Sequence, residues 1–295
     1  MLRNLVRPLT RPLVSGLMGG AGAPLPPLDN VSAWLAISIS RKLRTAYTGS
    51  AIRLRRDSDN TELNIGFNPQ GGLDTAAVTA WLGAANGFIV TLYDQSGNNR
   101  NYTQTVAANQ PAFVLSSGLG GKPAASFNGT THSIPDSSVP QDTTLRNWMG
   151  LAAIKPAVTT GGADVVFSSR PFNAEDWAFC SLTNVNNLGY AQGSGMANFY
   201  PTASGALPGT LDPQQVAWVM QAPNAGRIRR NGVDVATGLT SSTRRFAANT
   251  IFGQEQSGGA YYNGELAEFV LLEGSAKFAD AATLAYEANS QAYHV

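Results

Sequence analysis

From Ile52 to Leu272 the chain is cut into short runs of β-branched, aromatic and alternating apolar residues, each closed by Gly, Asn, Asp or Pro. Runs of this length are strands, and punctuation this frequent leaves no room for the crossover helices of a parallel sheet. The runs are 52–56, 61–67, 87–92, 112–115, 124–127, 148–154, 164–168, 177–182, 187–190, 215–221, 226–230, 249–252 and 261–272. In the first of them Ile52 and Leu54 alternate with Arg53 and Arg55, so the apolar pair faces inward. Asn231-Gly232 between Ile228 and Val233 is the turn chemistry of a two-residue hairpin. Leu266, Phe269 and Leu271 alternate imperfectly, which predicts a strand buried on both faces at one point.

Three helical segments complete the expectation. Asp74 caps a helix that runs through Leu82 and stops at Gly83, and a short helix is expected around Trp34. A terminal helix over 279–293 starts near Asp280 and is expected to pack across a sheet edge. After residue 30 no linker is long enough to divide the chain, so 31–295 reads as one domain.

Residues 1–30 differ in kind. Arg3, Arg7 and Arg11 recur every four residues, with Arg-Pro-Leu at 7–9 and again at 11–13, and Pro8, Pro12, Pro24, Pro26 and Pro27 forbid one long helix. The apolar stretch 13–18 is short and broken by Ser15 and Gly16, which favours an extended docking arm over a cleaved secretory signal.

Composition closes off several functions. The 295 residues carry a net charge of +1, which gives no electrostatic reason to bind nucleic acid. Polarity comes from amides and hydroxyls, because charged residues are only 13%. Cys180 is the single cysteine, His132 and His294 are the only histidines, and no metal-ligand cluster, cofactor motif or membrane-spanning apolar run is present. Ser126, His132 and Asp136 have no nucleophile-elbow setting, and Asp57-Ser58-Asp59-Asn60 lacks the glycine and distal Glu of a calcium loop.

The densest polar chemistry follows the apolar run 87–92, in Tyr93, Asp94, Gln95, Ser96, Gly97 and Asn98. Where a strand leaves the core, Asp94 and Gln95 either staple the loop through its backbone or touch a ligand directly.

These residues also carry a resemblance. Tyr47-Thr48-Gly49, the run 52–59, Gly72-Leu73-Asp74 and Tyr93 to Asn98 resemble, in order and spacing, the catalytic module of arabinofuranosidase B-type glycoside hydrolases. The similarity is specific over 41–111. Gly264-Glu265-Leu266-Ala267-Glu268-Phe269 and the Asn231-Gly232 hairpin are similar to the broader laminin-G and concanavalin-like group. The fold implied is all-β, a concanavalin A-like antiparallel β-sandwich (jelly roll) with short helices.

The resemblance implies a pair of carboxylates, one nucleophilic and one acid/base. It sets Ala178 at the nucleophile's position, leaves Asp176 and Glu255 as the alternative catalytic pair, and makes Trp177, Asn187, Tyr190 and Gln192 the glycan-binding candidates. Because alanine cannot attack an anomeric carbon, and because the arm-plus-sandwich layout resembles tailed-bacteriophage particle proteins, the expected function is a non-catalytic virion component. In that reading residues 1–30 dock on other virion proteins, the chain is a homo-oligomer, and host-surface polysaccharide is a further contact. The alternatives are an arabinofuranosidase-like retaining hydrolase and a free-standing glycan-binding module.

Overall fold

The computed structural model describes residues 27–136, 147–157, 163–169, 177–183, 187–193, 202–204, 212–220, 226–239, 250–254, 259–274 and 277–295. The strands are β1 (Leu35–Ser38), β2 (Ile52–Arg56), β3 (Glu62–Ile65), β4 (Gly87–Leu92), β5 (Tyr102–Thr103), β6 (Ala112–Val114), β7 (Ala124–Asn128), β8 (Ile134–Pro135) and β9 (Trp148–Pro156). They continue as β10 (Ala163–Ser169), β11 (Trp177–Thr183), β12 (Asn187–Gly193), β13 (Thr202–Ser204), β14 (Gln214–Met220), β15 (Gly226–Arg230), β16 (Val233–Leu239), β17 (Thr250–Phe252) and β18 (Asn263–Glu273). Among the described residues two α-helices accompany them, α1 (Thr75–Leu82) and α2 (Ala281–His294).

The strands form an antiparallel β-sandwich. A twelve-stranded sheet runs β16-β15-β14-β9-β18-β7-β6-β4-β2-β3, with β1 beside β18 and β5 beside β4; a six-stranded sheet runs β13-β12-β11-β10-β17-β8. The two meet through an aromatic cluster. Phe167 of β10 and Phe252 of β17 pack on Phe269 of β18, with centroids 4.5 and 5.2 Å away, and Tyr102 of β5 stands edge-on to Phe252 at 4.7 Å. Such edge and tilted pairs add about 0.5–1.5 kcal/mol each beyond the area they bury.

β18 has an apolar layer on both sides. Phe269 and Leu271 point between the sheets, while Val270 and Leu272 join Leu28, Val31, Leu43, Met149 and Tyr286 in a second cluster on the outer face of the large sheet. A strand covered twice needs no polar alternation, which explains its near-continuous apolar sequence. α2 supplies part of that cover, through Tyr286 and Ala282. It lies against β14 and β9, strands inside the sheet order, so it covers a sheet face rather than crossing an edge as the sequence suggested.

Local signals translate closely. The Asp74 side chain accepts from Ala77 N at 3.0 Å, and Asp280 accepts from Ala282 N at 2.9 Å, each capping its helix. Asn231 and Gly232 take φ of 49° and 77°, the doubly positive pair of a tight hairpin turn. Two expectations differ. Trp34 precedes β1 rather than sitting in a helix, because residues 35–38 find an open edge on β18. Leu28 and Asp29 are tied to the packed body instead of the arm: Leu28 is fully buried, its N–H bonds Leu43 O at 3.0 Å, and Asp29 accepts from Thr45 N and Oγ1. Arg3, Arg7 and Arg11 lie outside the described residues.

Candidate functional site

β4 carries the chain out of the core at Leu92, and the next residues form a knot of hydrogen bonds. Asp94 Oδ1 accepts from Ala36 N (3.0 Å) and Ser96 N (2.8 Å); Oδ2 accepts from Ser96 Oγ (2.7 Å) and Arg100 N (3.0 Å). Gln95 does the same for the facing segment, with Oε1 accepting from Leu43 N at 2.7 Å and Nε2 donating to Ser38 O and Arg41 O. Tyr93 Oη donates to Asn64 Oδ1, Asn98 Nδ2 to the carbonyls of Ala33 and Trp34, and Gly97 takes φ of 96° to close the turn. Asp94 and Gln95 are both buried with their polar atoms in use, so they act as staples rather than as ligand contacts.

Beside this loop opens a polar cleft of about 620 Å³, bounded by Asp29, Trp34, Arg44, Asn98, Arg100 and Glu273 among others. The Arg100 guanidinium lies 3.8 Å over the Trp34 ring and donates to Trp34 O at 2.9 Å, so the loop is clamped on the residue before β1.

The glycan-binding candidates lie on the small sheet. Register pairs Ala178 with Gln192, Cys180 with Tyr190 and Trp177 with Gly193, while Asn187 pairs with Ser204. By the two-residue period of a strand, positions 190 and 192 share one face with 178, whereas 177 and 187 fall on the other. The hairpin therefore brings the four positions together on two strands, but not on one surface. Asp176 and Glu255 are outside the described residues; their chain neighbours Trp177 and Gln254 flank β10 from opposite sides. β11 pairs Ala178 with Ser169 of β10, and Gln254 O accepts from Ser168 Oγ at 2.8 Å at the end of β17.

Two further carboxyls have unusual settings. Asp164, in β10, is 9% exposed; burial pushes its pKa up to about 7, and its Oδ2 has no hydrogen-bond partner among the described residues. A carboxyl protonated near neutrality is what a general acid needs. It nonetheless lies five residues along β10 from Ser169, roughly 17 Å from the level of Ala178. Sequence reading passed over it, although one aspartate inside Ala163-Asp164-Val165-Val166-Phe167 was a signal that could have been taken. Glu268 is 1% exposed on β18, and Arg41 forks onto it with Nε–Oε2 and Nη2–Oε1 both 2.8 Å. Tyr286 and Ser290 of α2 donate to the same carboxylate. With both oxygens engaged and the carboxylate buried, this cluster holds α2 to the sheet and cannot meet a substrate.

Comparisons with known proteins now bear on these features. Residues 30–125 match a family model described as Alpha-L-arabinofuranosidase B, catalytic. A search among curated proteins finds no match. Among solved structures, an arabinofuranosidase complexed with arabinofuranosyl-α-1,2-xylobiose superposes with a TM-score of 0.68 at 15% identity, covering 89% of this chain and 64% of that one. A mutant GH54 α-L-arabinofuranosidase soaked with 4-nitrophenyl α-L-arabinofuranoside gives 0.69 at 16% identity, covering 92% and 66%. A GH54 α-L-arabinofuranosidase soaked with a cyclic sulfate inhibitor gives 0.64 at 16%, with the same coverage. The chain thus spans about two thirds of the length of these proteins. The expectation of a non-catalytic bacteriophage particle protein is overturned by the family match, which is to a hydrolase's catalytic domain; none of these matches is to a virion protein. The segment holding the Asp94 staple resembles the catalytic domain of arabinofuranosidase B, and the chain has the sandwich fold of the GH54 arabinofuranosidases.

Proposed function

We propose that this protein is a glycoside hydrolase of the arabinofuranosidase type, releasing α-L-arabinofuranosyl groups from a glycan. The observation that carries the reading is the match of residues 30–125 to the arabinofuranosidase B catalytic domain. Those residues include the whole Asp94–Arg100 staple and the strands it ties together, a scaffold whose burial and hydrogen bonding make it rigid enough to hold a site.

The reaction needs two carboxyls at about 5–5.5 Å if the anomeric configuration is retained. Ala178 supplies none, so Asp176 and Glu255 take the two roles: one carboxylate attacks the anomeric carbon while the other, protonated, gives its proton to the departing oxygen. What supports this pair is that their chain neighbours border the same strand, β10, whose two neighbours stand about 10 Å apart across it. Tyr190 and Gln192 would then face the sugar from the surface that includes position 178.

Ala178 favours a second reading, in which the sandwich binds an arabinofuranosyl glycan and releases it unchanged. Hydrolysis of 4-nitrophenyl α-L-arabinofuranoside by the full chain separates the two: turnover supports the hydrolase, and saturable binding without turnover supports the binding module.

A further inference from the structure

The Tyr47-Thr48-Gly49 motif has no part in the scheme above, yet it forms one wall of a cleft of about 500 Å³. The opposite wall is the turn from Gly66 to Gly71, which follows β3. Two half-buried aromatic rings meet there, Tyr47 and Phe67, at 6.3 Å in an edge-to-face pair. The Tyr47 ring is fixed. Its hydroxyl donates to Ser50 O at 2.7 Å, and it folds so closely over Gly49 that a Cβ there would lie 2.5 Å from Tyr47 Oη. Burial, with the Asp94 charge nearby, pushes this phenol up to about 12, so it stays neutral.

The polar lining is one-sided. Lys42, Thr48, Ser50 and Asn68 line the cleft, and among the described residues no carboxylate does. Asn68 spends its oxygen on the N–H groups of Gln70 and Gly72, both at 3.0 Å, which leaves its amide N–H₂ as the part with donors to give. Among the described residues no carboxylate lies within ion-pair distance of the Lys42 ammonium. The cleft therefore offers apolar ring surface, an amide donor, hydroxyls and one unpaired cation. A sugar ring presents C–H faces to the first and hydroxyls to the next two; the cation calls for a carboxylate on that sugar.

We infer that this cleft is a binding site for an acidic saccharide, a uronate whose carboxylate meets Lys42 and whose ring lies against Tyr47 and Phe67. It lies apart from β11 and β12, and the inference stands whether or not the protein hydrolyses anything.

The test compares two probes that differ only in the carboxylate, methyl β-D-glucuronide and methyl β-D-glucoside, titrated into the full chain and followed by amide NMR. The expected result is saturable shifts at residues 42, 47–50 and 66–71, with the glucuronide bound about fivefold more tightly, the upper range for one solvent-facing ion pair. Lys42→Gln should remove that preference and Lys42→Arg should keep most of it, with both variants melting at the parent's temperature. Shifts absent from these residues, a preference that survives Lys42→Gln, or equal shifts with acetate alone would each overturn the inference. Turnover of arabinofuranosides is unaffected by Lys42→Gln on this account, so failure here and failure of the hydrolase reading are separate results.

Discussion

Arg41 and Glu268, 227 positions apart in sequence, form a two-bond fork beneath α2 in which the carboxylate is 1% exposed. The fork joins the segment after β1 to β18, and Tyr286 and Ser290 bring the helix onto it. Breaking one partner of a buried pair leaves an uncompensated charge, so Arg41→Met should cost about 3–5 kcal/mol in chemical denaturation. Replacing both, Arg41→Met with Glu268→Leu, should recover much of that loss. A double variant no more stable than the single one would contradict the pairing.

The same cluster sets an acid limit. Burial alone would raise the Glu268 carboxyl, but the Arg41 charge and fork, helped by His294 and Tyr286, outweigh it and hold the pKa at about 2. An acid with a depressed folded pKa stabilises the fold above its unfolded value, near 4.5, and that contribution fades as pH falls toward 2. His294 acts in the same direction at higher pH. Burial lowers its pKa below 6.5, more than the nearby Glu268 charge raises it, so the unfolded chain takes up the proton first and stability falls as pH drops through that value. These two groups should withdraw stability in two stages on acidification, and Glu268→Gln should remove the lower stage from the pH dependence of the melting temperature.

Asp164 predicts the opposite slope. Its folded pKa of about 7 exceeds the unfolded value near 3.8, so the fold is favoured while the group is protonated and loses stability as pH rises between those values. Asp164→Asn should be more stable than the parent at pH 8 and show little gain at pH 4, read by urea midpoint. A gain of the same size at both would mean that ionisation is not the cause.

Asp94→Ala removes the acceptor for the Ala36, Ser96 and Arg100 amides together. The cost should be about 1–3 kcal/mol, with Asp94→Asn milder because one oxygen remains. Unchanged exchange protection at those three amides would refute the staple.

Gly253 takes φ of 79°, and a Cβ there would stand 2.3 Å from two ring carbons of Phe127 and 3.0 Å from His132 O. Phe127 is a core residue with nowhere to retreat. Gly253→Ala should therefore destabilise by more than about 2 kcal/mol and lower any activity that depends on the chain beyond Gln254.

Much of the fold was legible because its signals are local. The Asp74 and Asp280 caps, the Asn231-Gly232 turn and the strand runs depend on neighbours a few residues away. What escaped depends on distant partners. Trp34 lies before a strand because β18 offers an edge, and Leu28 is core because Leu43 and Tyr286 close over it. The site was less legible for a related reason. Tyr93 to Asn98 could be picked out from composition as a fixed polar loop, with stapling and ligand contact both left open, whereas the split of Trp177 and Asn187 from Tyr190 and Gln192 follows from cross-strand register, which no single strand encodes. The functional expectation failed because one position, Ala178, outweighed a motif-level resemblance spread over seventy residues of chain.

The central claim is that this sandwich cleaves arabinofuranosides, and the most direct measurement is release of 4-nitrophenol from 4-nitrophenyl α-L-arabinofuranoside by the purified full chain. The account predicts steady release that is linear in protein concentration and falls by about 10²-fold or more, the scale of losing a positioned acid or base, in Asp176→Asn and in Glu255→Gln, with folding unchanged. Release at the uncatalysed rate from well-folded protein, or activity that persists in both variants, would contradict it.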